Sequence, residues 1–157
     1  MSRPRPVARR LSRRAALQVL YAADLGDALG EGAIESVFER VGGHFELSEG
    51  GRAFARELVC GTASRRECID ALISQHARNW RVERMAVVDR NVLRLASYEL
   101  AFTDAPDRVV LDEAIEIARE FGNERSGAFV NGVLDALARG LQSGEVGESF
   151  SASRGEE

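Results

Sequence analysis

Six arginines, Arg3, Arg5, Arg9, Arg10, Arg13 and Arg14, precede the first acidic residue of the chain, Asp24. A guanidinium grips phosphate through paired N–H donors and stacks on bases, and no lysine occurs anywhere in the 157 residues. The whole chain carries 21 basic and 25 acidic residues; without those six arginines, 15 face 25, a net charge of -10. A cationic N-terminus on an anionic body implies a local anion-binding surface, and nucleic acid is the commonest such partner. Arg9 and Arg13 are four apart, as are Arg10 and Arg14, so a helix would project them as two adjacent rows. Cations at a helix N-terminus oppose its dipole, which makes a purely structural reason for them weaker.

A second anion-binding candidate is the segment from Phe121 to Gly127. Arg125 and Ser126 stand there at the expected start of the last helix, where backbone N–H groups are exposed and phosphate is accommodated. The alternative is an ordinary capping loop. Asn131, polar in an otherwise apolar helix, is expected to pin a neighbouring helix. Arg94 and Glu99 lie in the most apolar segment and need partners if buried; Glu113 or Glu116 is the expected one.

Catalytic sets are not apparent. Asp112, Glu113, Glu116 and Glu120 make a carboxylate-rich face, but a di-iron bundle needs Glu-x-x-His pairs, and neither His44 nor His76 follows a glutamate by three. No Walker loop or dinucleotide fingerprint occurs. Cys60 and Cys68 would lie ~12 Å apart along one helix, too far for a disulfide. The expectation is a non-enzyme with no catalytic residue, no metal and no cofactor.

Almost every segment that must position these residues has helical period. Leu17, Leu20, Tyr21 and Leu25 share a face of a helix over about 8–26. Ile34, Val37, Phe38 and Val41 form a second, closed by Gly42-Gly43. Ser48 is an expected N-cap for a third element, about 49–78, which Gly61 is expected to bend or break. Residues of about 83–102 are apolar on most sides, which predicts a central helix. Val110, Ala114, Ile117 and Phe121 repeat at four, three and four, and Val130, Leu134, Leu137 and Leu141 repeat in the same way. The result is an all-α fold of six or seven helices. Residues 1–8 are read as a basic arm, 9–140 as the helical domain, and 141–157, rich in Gly, Ser and Glu, as a disordered tail. No run of 18 apolar residues and no signal core occur, so a cytoplasmic protein without membrane association is expected.

The run Asn91-Val92-Leu93-Arg94-Leu95-Ala96-Ser97-Tyr98-Glu99-Leu100 resembles the "LR-A-YEL" segment of the NusB family. Asp112-Glu113-Ala114-Ile115-Glu116-Ile117-Ala118, then Phe121-Gly122, then Phe129-Val130-Asn131-Gly132-Val133-Leu134-Asp135 follow in the family's order. Arg13 to Tyr21 resembles its opening helix. The resemblance covers about residues 8–139 and leaves 28–50 unaligned. It implies a fold of about seven helices in two small orthogonal bundles. It implies transcription antitermination and ribosomal RNA synthesis. The implied partners are boxA, a short single-stranded RNA, the small-subunit ribosomal protein NusE, and elongating RNA polymerase; some members also form homodimers. Tyr21 and Phe129 lie in matched segments and are candidates for base stacking, with core packing as the alternative. The resemblance puts the junction holding Arg125 and Ser126 on the RNA face. It makes Asp89 and Arg94 candidates for the protein partner. A helical dimerisation module, or an RNA-binding accessory domain like that of ribosomal RNA methyltransferases, is the competing reading.

Overall fold

The computed structural model describes residues 6–144, with side chains from Arg9 onward. The basic arm as far as residue 5 and the tail from residue 145 therefore lie outside the described residues. Among the described residues seven α-helices and one 3-10 turn form, and no strand does. The chain divides into two compact units, Met1–Arg65 and Arg66–Glu157.

The first unit contains α1 (Pro6–Leu25), α2 (Ala33–Gly42) and α3 (Glu49–Ser64), and each packs on the other two. Its core is the set that helical period selects: Leu17, Val19 and Leu20 of α1, Ile34, Val37 and Phe38 of α2, Ala55, Leu58 and Val59 of α3. Ser48 caps α3 as expected, its Oγ accepting from the Gly51 N–H at 3.0 Å. Where α1 crosses α3, the Ser12 hydroxyl donates to the Gly51 carbonyl at 2.8 Å. A Cβ on Gly51 would sit 3.1 Å from Ser48 Oγ and 3.2 Å from Ser12 Oγ, so a residue without a side chain permits the approach.

The expected break at Gly61 falls instead at Arg65. Gly61 stays helical because its flanking Leu58, Val59 and Thr62 are buried and hold that turn in place. At the helix end the Ser64 hydroxyl donates to the Gly61 carbonyl at 3.1 Å, and Arg65 leaves helical geometry with φ -110° and ψ 18°.

The second unit contains α4 (Arg66–His76), the 3-10 turn Val82–Arg84, α5 (Val87–Phe102), α6 (Asp107–Phe121) and α7 (Ser126–Ser143). Helix α5 is central, as its apolar character predicts: α4, α6 and α7 all pack on it, and every residue from Asn91 to Ala101 is buried. Ile69, Leu72 and Ile73 of α4, Val110 and Ile117 of α6, and Val130, Leu134 and Leu137 of α7 complete the core. Among the described residues no helix is long and apolar enough to cross a membrane.

Candidate nucleic-acid interface

The two arginine rows of α1 do not project together. Arg9 and Arg13 turn onto the Phe54 ring of α3, their guanidinium carbons 5.3 and 5.5 Å from its centroid. Arg13 is buried at 4% exposure, and Arg9 is half-buried with its Nε enclosed and lacking a hydrogen-bond partner. Cation–π attraction offsets part of the cost of enclosing these charges. In the other row Arg10 is exposed and Arg14 half-buried. The helix that bears the cations thus uses one row to seat on α3 and offers solvent mainly the other. Tyr21, about two turns beyond Arg14, is half-buried, between the core and stacking readings.

A second arginine cluster, on α3, is neutralised within its unit. Arg52 and Arg56 lie over Phe38 at 5.1 and 6.0 Å. Arg52 pairs with Glu39 at 3.0 Å, and Arg56 with Glu35. Cys60 Sγ sits 3.4 Å from Glu35 Oε1. Burial, then the hydrogen bond and charge of Glu35, push its thiol pKa upward; Arg56 pulls the other way. Cys60 and Cys68 are both free thiols.

In the second unit the α6–α7 junction is built by its own polar groups. Asn123 N–H donates to Ser126 Oγ at 3.0 Å, and Arg125 N–H donates to Asn123 Oδ1 at 2.8 Å. Ser126 is buried and its hydroxyl caps this turn, so its side chain serves the loop. Arg125, the N-cap position of α7, is exposed. A Cβ on Gly122 would approach Ser126 Cβ to 2.6 Å and the Ala118 carbonyl to 2.7 Å, which fixes glycine there by close approach.

Beside this loop opens a pocket of about 320 Å³ lined by Trp80, Met85, Asp89, Asn123, Arg125 and Phe129. Trp80 is 56% exposed, and Phe129 meets it edge to face with centroids 5.8 Å apart. Phe129 and Arg125 thus line the same pocket. Trp80 was absent from the sequence reading. Its signal was there: the chain's single tryptophan stands in a polar run between Arg78 and Arg81, where no apolar stripe calls for it.

Two expectations are corrected in this unit, those for Arg94 as a partner surface and for Asn131. Arg94 faces the core, where it holds Asp70 of α4 at 2.8 and 3.0 Å, with Asn91 Oδ1 accepting from it at 3.2 Å. A guanidinium at 6% exposure with these partners is a packing element and not a surface for another protein. Asp70 of α4 is thus a carboxylate partner of Arg94 that the spacing did not predict. Asn131, expected to pin a neighbouring helix, is exposed on α7. Asp89 does line the pocket. Among the described residues no group of three or more His, Cys, Asp or Glu could hold a metal ion.

Seven helices with an arginine-bearing first helix and an aromatic pocket define an all-helical binding module. A model described as the NusB family matches residues 10–139. The transcription antitermination protein NusB of Myxococcus xanthus (strain DK1622) is 45% identical over 135 residues, 85% of this chain and 96% of that protein. The protein of the same name from Anaeromyxobacter dehalogenans (strain 2CP-1 / ATCC BAA-258) is 47% identical over 138 residues, 87% and 94% of the two. Among solved structures, T. maritima NusB matches with a TM-score of 0.76 at 39% identity, covering 88% of this chain and 93% of that one. A crystal structure of antitermination factors NusB and NusE in complex with dsRNA matches with a TM-score of 0.68 at 29% identity, over 86% and 98%. The chain belongs to the NusB family.

Proposed function

We propose that this chain is a transcription antitermination factor. It binds boxA-type single-stranded RNA of ribosomal RNA leaders together with the small-subunit ribosomal protein NusE, and the assembly acts on elongating RNA polymerase. The observation that carries this reading is family membership over residues 10–139, with relatives that bear the antitermination name and a related structure that contains both NusE and RNA. In this reading the protein works in the cytoplasm, performs no chemistry of its own and takes no cofactor.

Two surfaces, one in each unit, support RNA contact. In the first, Arg10 and Arg14 supply phosphate contacts, and Arg9 adds to them from the edge of Phe54. Tyr21 is the stacking candidate there. In the second, Arg125 meets phosphate and Phe129 with Trp80 offers aromatic surface. Asp89 remains the candidate for partner contact that its position on the pocket allows. Two proteins that each hold part of one RNA raise each other's affinity for it, and by linkage RNA tightens the protein pair by the same factor.

The test is fluorescence-anisotropy titration of a boxA RNA and a scrambled control across a salt series, with and without NusE. Preference for boxA that sharpens with NusE is expected. Equal binding of both RNAs in the presence of NusE sinks the reading.

A further inference from the structure

We propose that His76, seated on Gly140 of α7, is the positioning residue that sets Trp80 in place for RNA, acting from the opposite end of α7 to Phe129. The inference rests on the RNA-binding reading above and adds to it a residue that acts only through Trp80.

The position of Trp80 is decided outside its own surroundings. It is 56% exposed, and its neighbours Arg78, Asn79 and Arg81 are exposed as well. The connector they form, residues 77–81, is anchored by what stands at its ends. Val82 is buried at one end; at the other, α4 stops at His76 and Ala77 is buried. A backbone bond passes the placement on, the Trp80 N–H donating to the Ala77 carbonyl at 3.0 Å.

An imidazole fixes that end of α4. His76 Nδ1 donates to the Leu72 carbonyl at 3.0 Å, and since a carbonyl only accepts, this nitrogen carries the proton and the bond orients the ring. The opposite edge of the ring faces α7. A Cβ on Gly140 would come within 2.6 Å of Nε2 and 3.2 Å of Cε1. Glycine inside a helix is less favourable than alanine, and the ring that Gly140 admits gives it a reason to be there. Gly132 of the same helix is the contrast: a Cβ there meets nothing within 4 Å.

Helix α7 thus holds the connector at two points. His76 rests at Gly140, and Trp80 rests at Phe129, edge to face at 5.8 Å. These points lie about 16 Å apart along the helix axis. One contact between two accessible rings leaves the connector able to pivot; the seat at Gly140 sets its direction.

The experiment uses the full chain, NusE and boxA RNA. Trp80 is the only tryptophan, so intrinsic emission reports its surroundings. Gly140→Ala drives a methyl group into a ring that moves only by giving up its bond to Leu72. The emission maximum is expected to shift to the red as Trp80 leaves Phe129. Affinity for boxA is expected to fall at least about fivefold, the loss of one base stacked on an aromatic ring. His76→Ala is expected to do the same. In the His76→Ala background the methyl group has room, so Gly140→Ala is expected to add nothing. Gly132→Ala is expected to leave the emission where it is.

Unchanged emission in His76→Ala overturns the proposal, leaves the RNA-binding reading standing, and decides the matter even where Gly140→Ala fails to fold. A shifted emission with boxA affinity intact also overturns it, since Trp80 then moves without consequence for RNA. Full additivity of the two substitutions denies the contact and overturns it too. Failure of the unaltered chain to bind boxA, even with NusE present, overturns both readings.

Discussion

Arg94 of α5 holds both carboxylate oxygens of Asp70 on α4, Nε to Oδ1 at 2.8 Å and Nη2 to Oδ2 at 3.0 Å, with the arginine side chain 7% exposed. Asn91 joins the pair: its Oδ1 accepts from Nη1, and its Nδ2 donates to the Val87 carbonyl at 2.9 Å. A lone guanidinium inside this unit would be heavily penalised; the bidentate pair keeps it there.

Removing the carboxylate takes two charge-assisted hydrogen bonds from a buried guanidinium. Asp70→Ala is expected to lower unfolding stability by about 3 kcal/mol, since breaking a buried bidentate pair is strongly destabilising. Arg94→Lys is expected to cost about 1–2 kcal/mol, because an ammonium cannot reproduce the fork. Urea denaturation followed by circular dichroism measures both. Equal stability of Asp70→Ala and the parent would show that the pair contributes nothing.

The arginines of α1 should separate by role. Arg10→Ala removes an exposed cation and is expected to lower the melting temperature less than Arg13→Ala does, while reducing the log-log salt slope of RNA binding by about 0.7. Arg13→Ala removes a buried group that rests on Phe54 and is expected to destabilise by about 1–3 kcal/mol. Salt titration and thermal denaturation, run on both variants, give the contrast. A shared phenotype would contradict the divergence of the two rows.

Gly122→Ala pushes a methyl group against Ser126 Cβ and the Ala118 carbonyl, neither of which can yield without moving the loop. A loss of about 1–3 kcal/mol is expected, as for overpacking. Because this loop carries Arg125 into the pocket, weaker RNA binding at permissive temperature is expected as well. Wild-type stability in chemical denaturation would refute the close approach.

The Cys60 thiol should resist alkylation. Its pKa lies above the ordinary thiol value because burial and the Glu35 carboxylate disfavour the thiolate. Near pH 8.5, iodoacetamide is therefore expected to modify Cys60 in the folded protein more slowly than in the urea-unfolded chain. Mass spectrometry of the Cys60 peptide reads the ratio. The linkage runs the same way: a raised folded pKa means that this contribution to stability is full below the unfolded thiol pKa. It is lost as pH rises through the folded one. Faster modification in the folded state would reverse the assignment.

The sequence by itself determined the helices and their inward faces. Spacings of three and four picked out Leu17 and Leu20, Ile34 and Phe38, and Val130, Leu134 and Leu137, because one face of a helix is a local property of the chain. Ser48 was legible for the same reason: its partner, Gly51, lies three residues away. Family resemblance added the α6–α7 junction and Phe129. Tertiary structure decided which charged groups meet solvent. Arg13 and Arg10 are three residues apart with the same side chain, yet Phe54 of α3 encloses one and leaves the other exposed. Arg94 takes Asp70 of α4 as a partner, which the spacing along α5 did not reveal. Trp80, Asp89 and Phe129 became one pocket only when the segment between α4 and the 3-10 turn, α5 and α7 came together. Periodicity states that a face is buried; it carries no information about which distant residue lies opposite, and the fate of a polar side chain depends on that neighbour.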